Sequence, residues 1–306
     1  MIPTLLALAA LQTSPMPDLI PPDPRRSPTP EQQAAPTPTP APTPVPAAPE
    51  MPPEVAARYQ TCTGLIRSNP ERAIEMASAW RVEGGGGYAR QCLGLAYVAL
   101  ERWEPAATTY EQAARDAESA NDPRRADFWV QAGNAWLAGG EPTRAVLAFD
   151  AALAPPNLTD ALRGEVHLDR ARAMVALDNL PTARTDIDRA LQLVASDPFA
   201  WYLSAALARR QQDLARAQTD IQRALGLAPD SPDITLLAGT IAGQLGNMEQ
   251  AEQLYRRVAE GAPNTEAGRA AQASLATLRE VEVDAPAGAS PPRPAPAQQL
   301  QPEPPR

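Results

Sequence analysis

Lysine is absent from this chain: all 27 of its basic residues are arginine. That absence removes the phosphate-loop lysine, the Schiff-base lysine of pyridoxal phosphate enzymes and the kinase-type lysine together. Histidine occurs once, as His167, which leaves no cluster for zinc and no second imidazole for a relay. Cysteine occurs twice, as Cys62 and Cys92, with no C-x-x-C pair and no third ligand, so no metal site is expected. A formal net charge of −9 disfavours broad binding to nucleic acid or anionic membranes, both of which need positive charge. Aromatic residues make up 5% of the chain and all lie between Tyr59 and Tyr255, so a large core can form only there. No apolar run approaches the roughly 20 residues of a bilayer span, and no integral membrane span is expected.

Proline is abundant but segregated. Of 36 prolines, 17 lie in residues 1–53 and 8 in residues 286–306. Those two ends carry no aromatics and cannot offset the entropy of ordering. Residues 15–53 therefore read as a disordered Pro-rich linker and 284–306 as a disordered Pro-rich tail. The stretch Pro36–Pro46 alternates proline with threonine, alanine and valine, a semi-rigid polyproline spacer by composition. It reads first as an entropic tether and second as a docking peptide for a proline-reading domain. Residues 1–14, MIPTLLALAALQTS, hold a short apolar run followed by small residues and read as a signal peptide. In an oxidising compartment Cys62 and Cys92 could be one disulfide; the alternative is two small buried hydrophobes.

Between the proline-rich ends the sequence repeats. Trp201–Pro229 aligns with Thr235–Pro263 at an offset of 34, so that Ala217 falls on Ala251, Ile221 on Tyr255, Ala224 on Val258 and Pro229 on Pro263. Earlier copies carry Ala183, Ile187 and Ala190, then Ala145, Phe149 and Ala152, then Ala106, Tyr110 and Ala113. This small–large–small spacing places three residues on one helical stripe. Upstream of each lies a second helical pattern with a small residue and often an aromatic three later: Gly94 with Tyr97, Gly133 with Trp136. Polar turns separate the two, with Pro105, Pro142 and Pro181 suited to the first turn of the second helix. No strand pattern of useful length is present.

At these residues the chain resembles the tetratricopeptide repeat family. Trp129, Gly133, Trp136, Ala145, Phe149 and Ala152 match the signature most fully, whereas the third copy has His167 in place of the tryptophan, Ala171 in place of the glycine and Met174 in place of the aromatic. The resemblance implies an all-α, right-handed α-solenoid of about six helix pairs plus a capping helix. Residues 54–86 would be a degenerate N-terminal pair, 87–265 five repeats, and 266–283 the polar-faced cap that a repeat array needs. By repeat phase Cys62 and Cys92 lie on the first helices of successive pairs, where a bridge is feasible.

No catalytic set emerges. Gly84–Gly87 lacks the preceding strand and following lysine of a phosphate loop and reads as a flexible turn. His167 sits in a structural position, and Asp186 and Asp188 point in different directions on a helix. The expectation is a scaffold without catalysis and without cofactor or metal, whose partner is a protein or peptide segment. By resemblance the inward, peptide-groove positions include Gln91, Val130, Asn134, Leu168, Arg172, Tyr202 and Arg209, of which Gln91, Asn134, Arg172, Tyr202 and Arg209 are the polar or aromatic handles. The absence of lysine argues against the family's carboxylate clamp. Export points to the periplasm and a bacterial envelope assembly. The alternatives are a cytoplasmic adaptor with reduced cysteines and an accessory subunit of an envelope enzyme.

Overall fold

A computed structural model describes residues 51–156 and 158–284. The expected signal segment, almost all of the linker and the tail after Asp284 lie outside the described residues. Among the described residues there are thirteen α-helices and no strand. They are α1 Pro53–Ser68, α2 Pro70–Val82, α3 Gly86–Ala99, α4 Trp103–Ser119, α5 Arg125–Ala138, α6 Pro142–Leu153, α7 Asp160–Ala176, α8 Leu180–Leu193, α9 Pro198–Arg210, α10 Leu214–Leu227, α11 Pro232–Gln244, α12 Met248–Gly261 and α13 Glu266–Asp284. The chain forms two compact units, one ending at Ile234 and the other running on from Thr235. The class is the helix-pair α-solenoid: six pairs, α1/α2 to α11/α12, followed by α13.

Each of the five pairs from α3/α4 onward closes through the same turn. The first helix ends with a residue in the left-handed region: Glu101, Gly140, Asp178, Gln212 and Gly246, with φ of 54°, 76°, 58°, 63° and 84°. The next backbone N–H then reaches back over the turn: Arg102 to the Tyr97 carbonyl, Glu141 to Trp136, Asn179 to Met174, Asp213 to Ala208 and Asn247 to Ala242, each at 2.9 Å. This is the six-to-one closure that satisfies orphan carbonyls at a helix end. In two of these pairs the second helix is then capped: Asn179 Oδ1 accepts from the Thr182 N–H at 3.3 Å, and Asp213 Oδ1 from the Arg216 N–H at 3.0 Å.

The contact that sets each pair's spacing lies mid-helix. A methyl group placed on Gly94, Gly133 or Gly239 would fall within 3.0 Å of the ring of Tyr110, Phe149 or Tyr255, closer than real Cβ atoms approach. Where the second helix carries isoleucine instead, as at Ile187 and Ile221, the facing position is Ala171 and Ala205, and all four are buried. A ring needs the space of a Cβ; an aliphatic side chain leaves room for one. In the unit that starts at Thr235, Tyr255 packs with Ala242, Ala251, Val258, Ala267, Ala271 and Leu275, so α13 covers the apolar face of the last pair.

At the N-terminal end the structure bonds Cys62 to Cys92, with Cα atoms 6.3 Å apart. Both are fully buried and pack with Ala77 and Leu93. The glycine cluster differs from the flexible turn read from sequence. Gly86 and Gly87 begin α3; a Cβ on Gly85 would meet Trp80 and Ala89 within 3.0 Å, and Gly87 lies against the Phe128 ring. Close packing, more than flexibility, requires Gly85 and Gly87.

Three outcomes follow for folding. Replacing Phe149, fully buried against Gly133, by alanine should cost about 3–5 kcal/mol in denaturant unfolding. Ile187→Phe should destabilise alone and be rescued by adding Ala171→Gly, with a coupling of about 1–2 kcal/mol in a double-mutant cycle; additivity would show that the two do not share the contact. Thiol titration of the denatured, unreduced protein should find no free thiol, and reduction should lower stability by about 2–4 kcal/mol.

Candidate functional site

The five expected groove residues all lie on first helices: Gln91 on α3, Asn134 on α5, Arg172 on α7, Tyr202 and Arg209 on α9. Four are half-buried, and Arg172 is only 8% exposed. Asn134 and Arg172 occupy the same repeat position, and the structure joins them through Asp169, a residue the sequence reading did not select. Asn134 Nδ2 donates to Asp169 Oδ2 at 2.9 Å, and Arg172 Nη1 donates to Asp169 Oδ1 at 3.1 Å and to Asn134 Oδ1 at 3.5 Å. A buried carboxylate is tolerated when paired and hydrogen-bonded, and here the amide and guanidinium supply that pairing across α5 and α7. The i,i+3 spacing of Asp169 and Arg172 on one helix is the signal that marks the pair in the sequence.

One helix pair further on, the ring of Tyr202 stacks on Phe199, with centroids 6.0 Å apart. Burial pushes the Tyr202 phenol up, Asp233 adds to that, and Arg209 opposes it. Asp233 and Arg209 therefore lie within electrostatic reach of the phenol. Val130 and Leu168, also expected to face inward, are core residues at 1% and 2% exposure. Beside Arg172 a crevice with room for about one water molecule lies between α7 and α9, lined by Ala171, Val175, Ile187, Leu203 and Arg210 among others. The face of the first helices that carries these residues thus offers paired polar groups, a stacked aromatic pair and shallow apolar relief.

A second set of polar contacts was missed because most of them join residues 16 to 28 apart in sequence. Asp186 on α8, 2% exposed, faces α7. It accepts from Arg170 Nε at 2.9 Å and Nη2 at 2.6 Å and bonds His167 Nδ1 at 2.9 Å, while Arg170 Nη1 reaches Asp150 Oδ1 at 2.5 Å. One repeat later Asp220 holds the equivalent place on α10 and accepts from Ser204 Oγ at 2.5 Å. Arg184 donates to Ser204 Oγ at 2.8 Å and to its carbonyl at 2.9 Å, and Arg216 bridges Asp220 and Asp188. These acids stand next to Ile187 and Ile221, in the two copies without the aromatic. Burial alone would raise the Asp186 carboxyl, but hydrogen bonds from His167 and Arg170 outweigh it and hold it below its usual value. His167 here orients α7 on α8. Among the described residues no group of three or more His, Cys, Asp or Glu converges as a metal site, and no helix is long and apolar enough to cross a membrane.

Paired helices with a left-handed turn, a small residue facing a large one, and a terminal covering helix define a helical repeat protein. The sequence pattern of the tetratricopeptide repeat matches residues 93–158 and 202–266, so the chain carries tetratricopeptide repeats in both stretches. The stretch between the two matches holds the third copy, with His167, Ala171 and Met174 in place of the tryptophan, glycine and aromatic of the copy before it. No curated protein sequence matches the chain. Among solved structures, it is similar to PilW, a widely conserved type IV pilus biogenesis factor, with TM-score 0.58 and 19% identity over 72% of this chain and 98% of PilW. PilF of Pseudomonas aeruginosa gives 0.57 and 16% over 72% and 97%. The C-terminal part of a tetratricopeptide repeat-containing protein from Cytophaga hutchinsonii gives 0.53 and 15% over 74% and 90%. At these identities the likeness is one of fold.

The Asp186 network yields a pH signature. A carboxyl whose folded value is depressed contributes stability that is present above its unfolded value and is lost as pH falls through the folded one. The wild-type unfolding midpoint should therefore drop below about pH 4. Asp186→Asn should cost about 2 kcal/mol at neutral pH and flatten that acid slope. A variant with an unchanged acid profile would exclude Asp186 as a contributor.

Proposed function

We propose that this protein is a non-catalytic scaffold that holds extended protein segments against the groove-side face of its first helices. The observation that carries the reading is the state of that face. In α3, α5 and α9 the side chains of Gln91, Asn134, Tyr202 and Arg209 are half-buried, whereas the stripe of α3 and α5 that faces the second helices is closed by the small–large core contacts. Half-buried amide, guanidinium and phenol groups suit an extended backbone, which brings its own unpaired donors and acceptors. Tetratricopeptide repeat proteins bind protein partners, and the Asn134–Asp169–Arg172 cluster would hold two of the handles in fixed rotamers before a segment arrives, lowering the ordering cost of binding.

The periplasm is the compartment we assign. A buried disulfide between Cys62 and Cys92 is at home in an oxidising space, and the apolar run at Leu5–Leu11 suits export. Similarity of fold to PilW, a pilus biogenesis factor, supports a role in assembling an envelope structure.

Photo-crosslinking residues placed at Gln91 and Tyr202 should yield adducts with partner protein in intact cells. The same probe at the exposed second-helix positions Thr108 and Arg189 should not. Equal labelling of both sets would reject the groove reading. Fractionation that finds the protein with free thiols in the cytosol would reject the compartment while leaving the groove reading in place.

A further inference from the structure

Three half-buried side chains form a ladder across the first three pairs. Tyr59 on α1 meets Tyr88 on α3 edge to face, with ring centroids 6.0 Å apart. The Arg124 guanidinium, in the turn before α5, lies 3.9 Å from the centre of the Tyr88 ring and 5.5 Å from that of Phe128. Asp122 anchors the arginine through Nε and Nη2 at 3.0 and 2.5 Å. Electrostatics links the same groups: burial raises the Tyr59 phenol, Arg124 opposes the rise and Tyr88 adds to it. Tyr59 packs in part against the core around Cys62 and Cys92, and the rest of the ladder is left at the surface of the fold. The ladder's side chains are neither buried nor fully exposed, and it has no counterpart in the repeat signature.

The ladder lies beside the point where the proline-rich segment joins the fold. Tyr59 is six residues after Pro53, the first residue of α1, or about 9 Å along the helix. Tyr88 is the third residue of α3, and Arg124 immediately precedes α5. Fifty residues precede the described part of the chain, and they hold the alternating stretch Pro36–Pro46. Proline-rich backbone in the polyproline II form has no internal hydrogen bonds. It presents ring faces and unpaired carbonyl acceptors, the complement of aromatic rings that carry donor heads. The seven residues from Pro46 to Pro53 reach roughly 22 Å, enough to turn back onto the ladder.

We propose that the chain's own Pro36–Pro46 segment docks on the Tyr59–Tyr88–Arg124 ladder, its prolines against the two tyrosine rings and its carbonyls toward the phenol and guanidinium donors. Tethering makes the contact feasible. A short flexible link gives an effective concentration on the order of 1 mM, so a segment with an intrinsic Kd of about 1 mM is docked about half the time. The docked segment covers the ladder and takes the place that a proline-rich segment of another protein would otherwise occupy.

The full chain carrying Ala41→Cys, its one free thiol when Cys62 and Cys92 are bonded, can be labelled with a benzophenone, irradiated and mapped by mass spectrometry. Adducts should fall on the peptides containing Tyr59 and Tyr88, roughly fivefold above those from a control label at Gln298→Cys in the other proline-rich tail. Tyr88→Ala should remove the excess and Tyr88→Phe should keep most of it. Excess synthetic Pro36–Pro46 peptide should compete the adducts away on the otherwise unmutated chain, a readout independent of whether Tyr88→Ala folds. Equal yields from the two labels, adducts spread over other helices, or adducts found only between isotopically distinct copies would each overturn the proposal.

Discussion

Every full repeat in this protein rests on one steric constraint: at the middle of a helix pair, the first helix must make room for what the second inserts. Gly94, Gly133 and Gly239 leave the volume that Tyr110, Phe149 and Tyr255 fill, so closely that no Cβ would fit between. Glycine in mid-helix costs roughly 1 kcal/mol relative to alanine, and burial of a large ring offsets it. In the two copies where isoleucine replaces the ring, alanine replaces the glycine at Ala171 and Ala205, so helix propensity is recovered where the space is not needed. The left-handed turn seven residues later depends on this contact, because helix spacing fixes how tightly the chain must reverse.

Those two aliphatic copies gain another kind of contact. Asp186 and Asp220, one repeat apart, each place a buried carboxylate between the paired helices. Each is held by side chains of the first helix: His167 and Arg170 in one copy, Ser204 in the next. An apolar aromatic contact tolerates small sliding; a bidentate arginine–carboxylate contact does not. The third and fourth copies are therefore fixed by directional bonds, and the first two by the shape of their rings. Such networks carry little net stability when whole and a large penalty when broken, which ties the pairing of these helices to the ionisation of Asp186.

The surface on the first helices takes its character from the same division. In α3 and α5 the residues that turn toward the second helix are largely small or apolar, and the first-helix faces left over carry Gln91, Asn134, Tyr202 and Arg209. Asp169 draws Asn134 and Arg172 together across two helices, so part of that surface is organised by the protein itself. At the N-terminal end of the larger unit, the Cys62–Cys92 bond ties the first pair, which lacks the glycine–aromatic contact, to the second, and the tyrosine–arginine ladder runs beside it.

The all-α class, the helix pairs, the small–large register and the segregation of proline to the ends were legible in the sequence, because each depends on spacing along one helix or on composition. A period of 34 with alanines in phase leaves few folds open. The turn residues were legible in part: glycine marks Gly140 and Gly246, while Glu101, Asp178 and Gln212 take the same conformation without advertising it. The sequence left two uses open for Cys62 and Cys92, and helix packing brought their Cα atoms to 6.3 Å. Tertiary structure alone decided that Val130 and Leu168 are core, that Asp169 links Asn134 to Arg172, and that Asp186 meets both His167 and Arg170. Those contacts join different helices, and a pattern read along one helix records which face a residue occupies but not which side chain of the neighbouring helix stands opposite it.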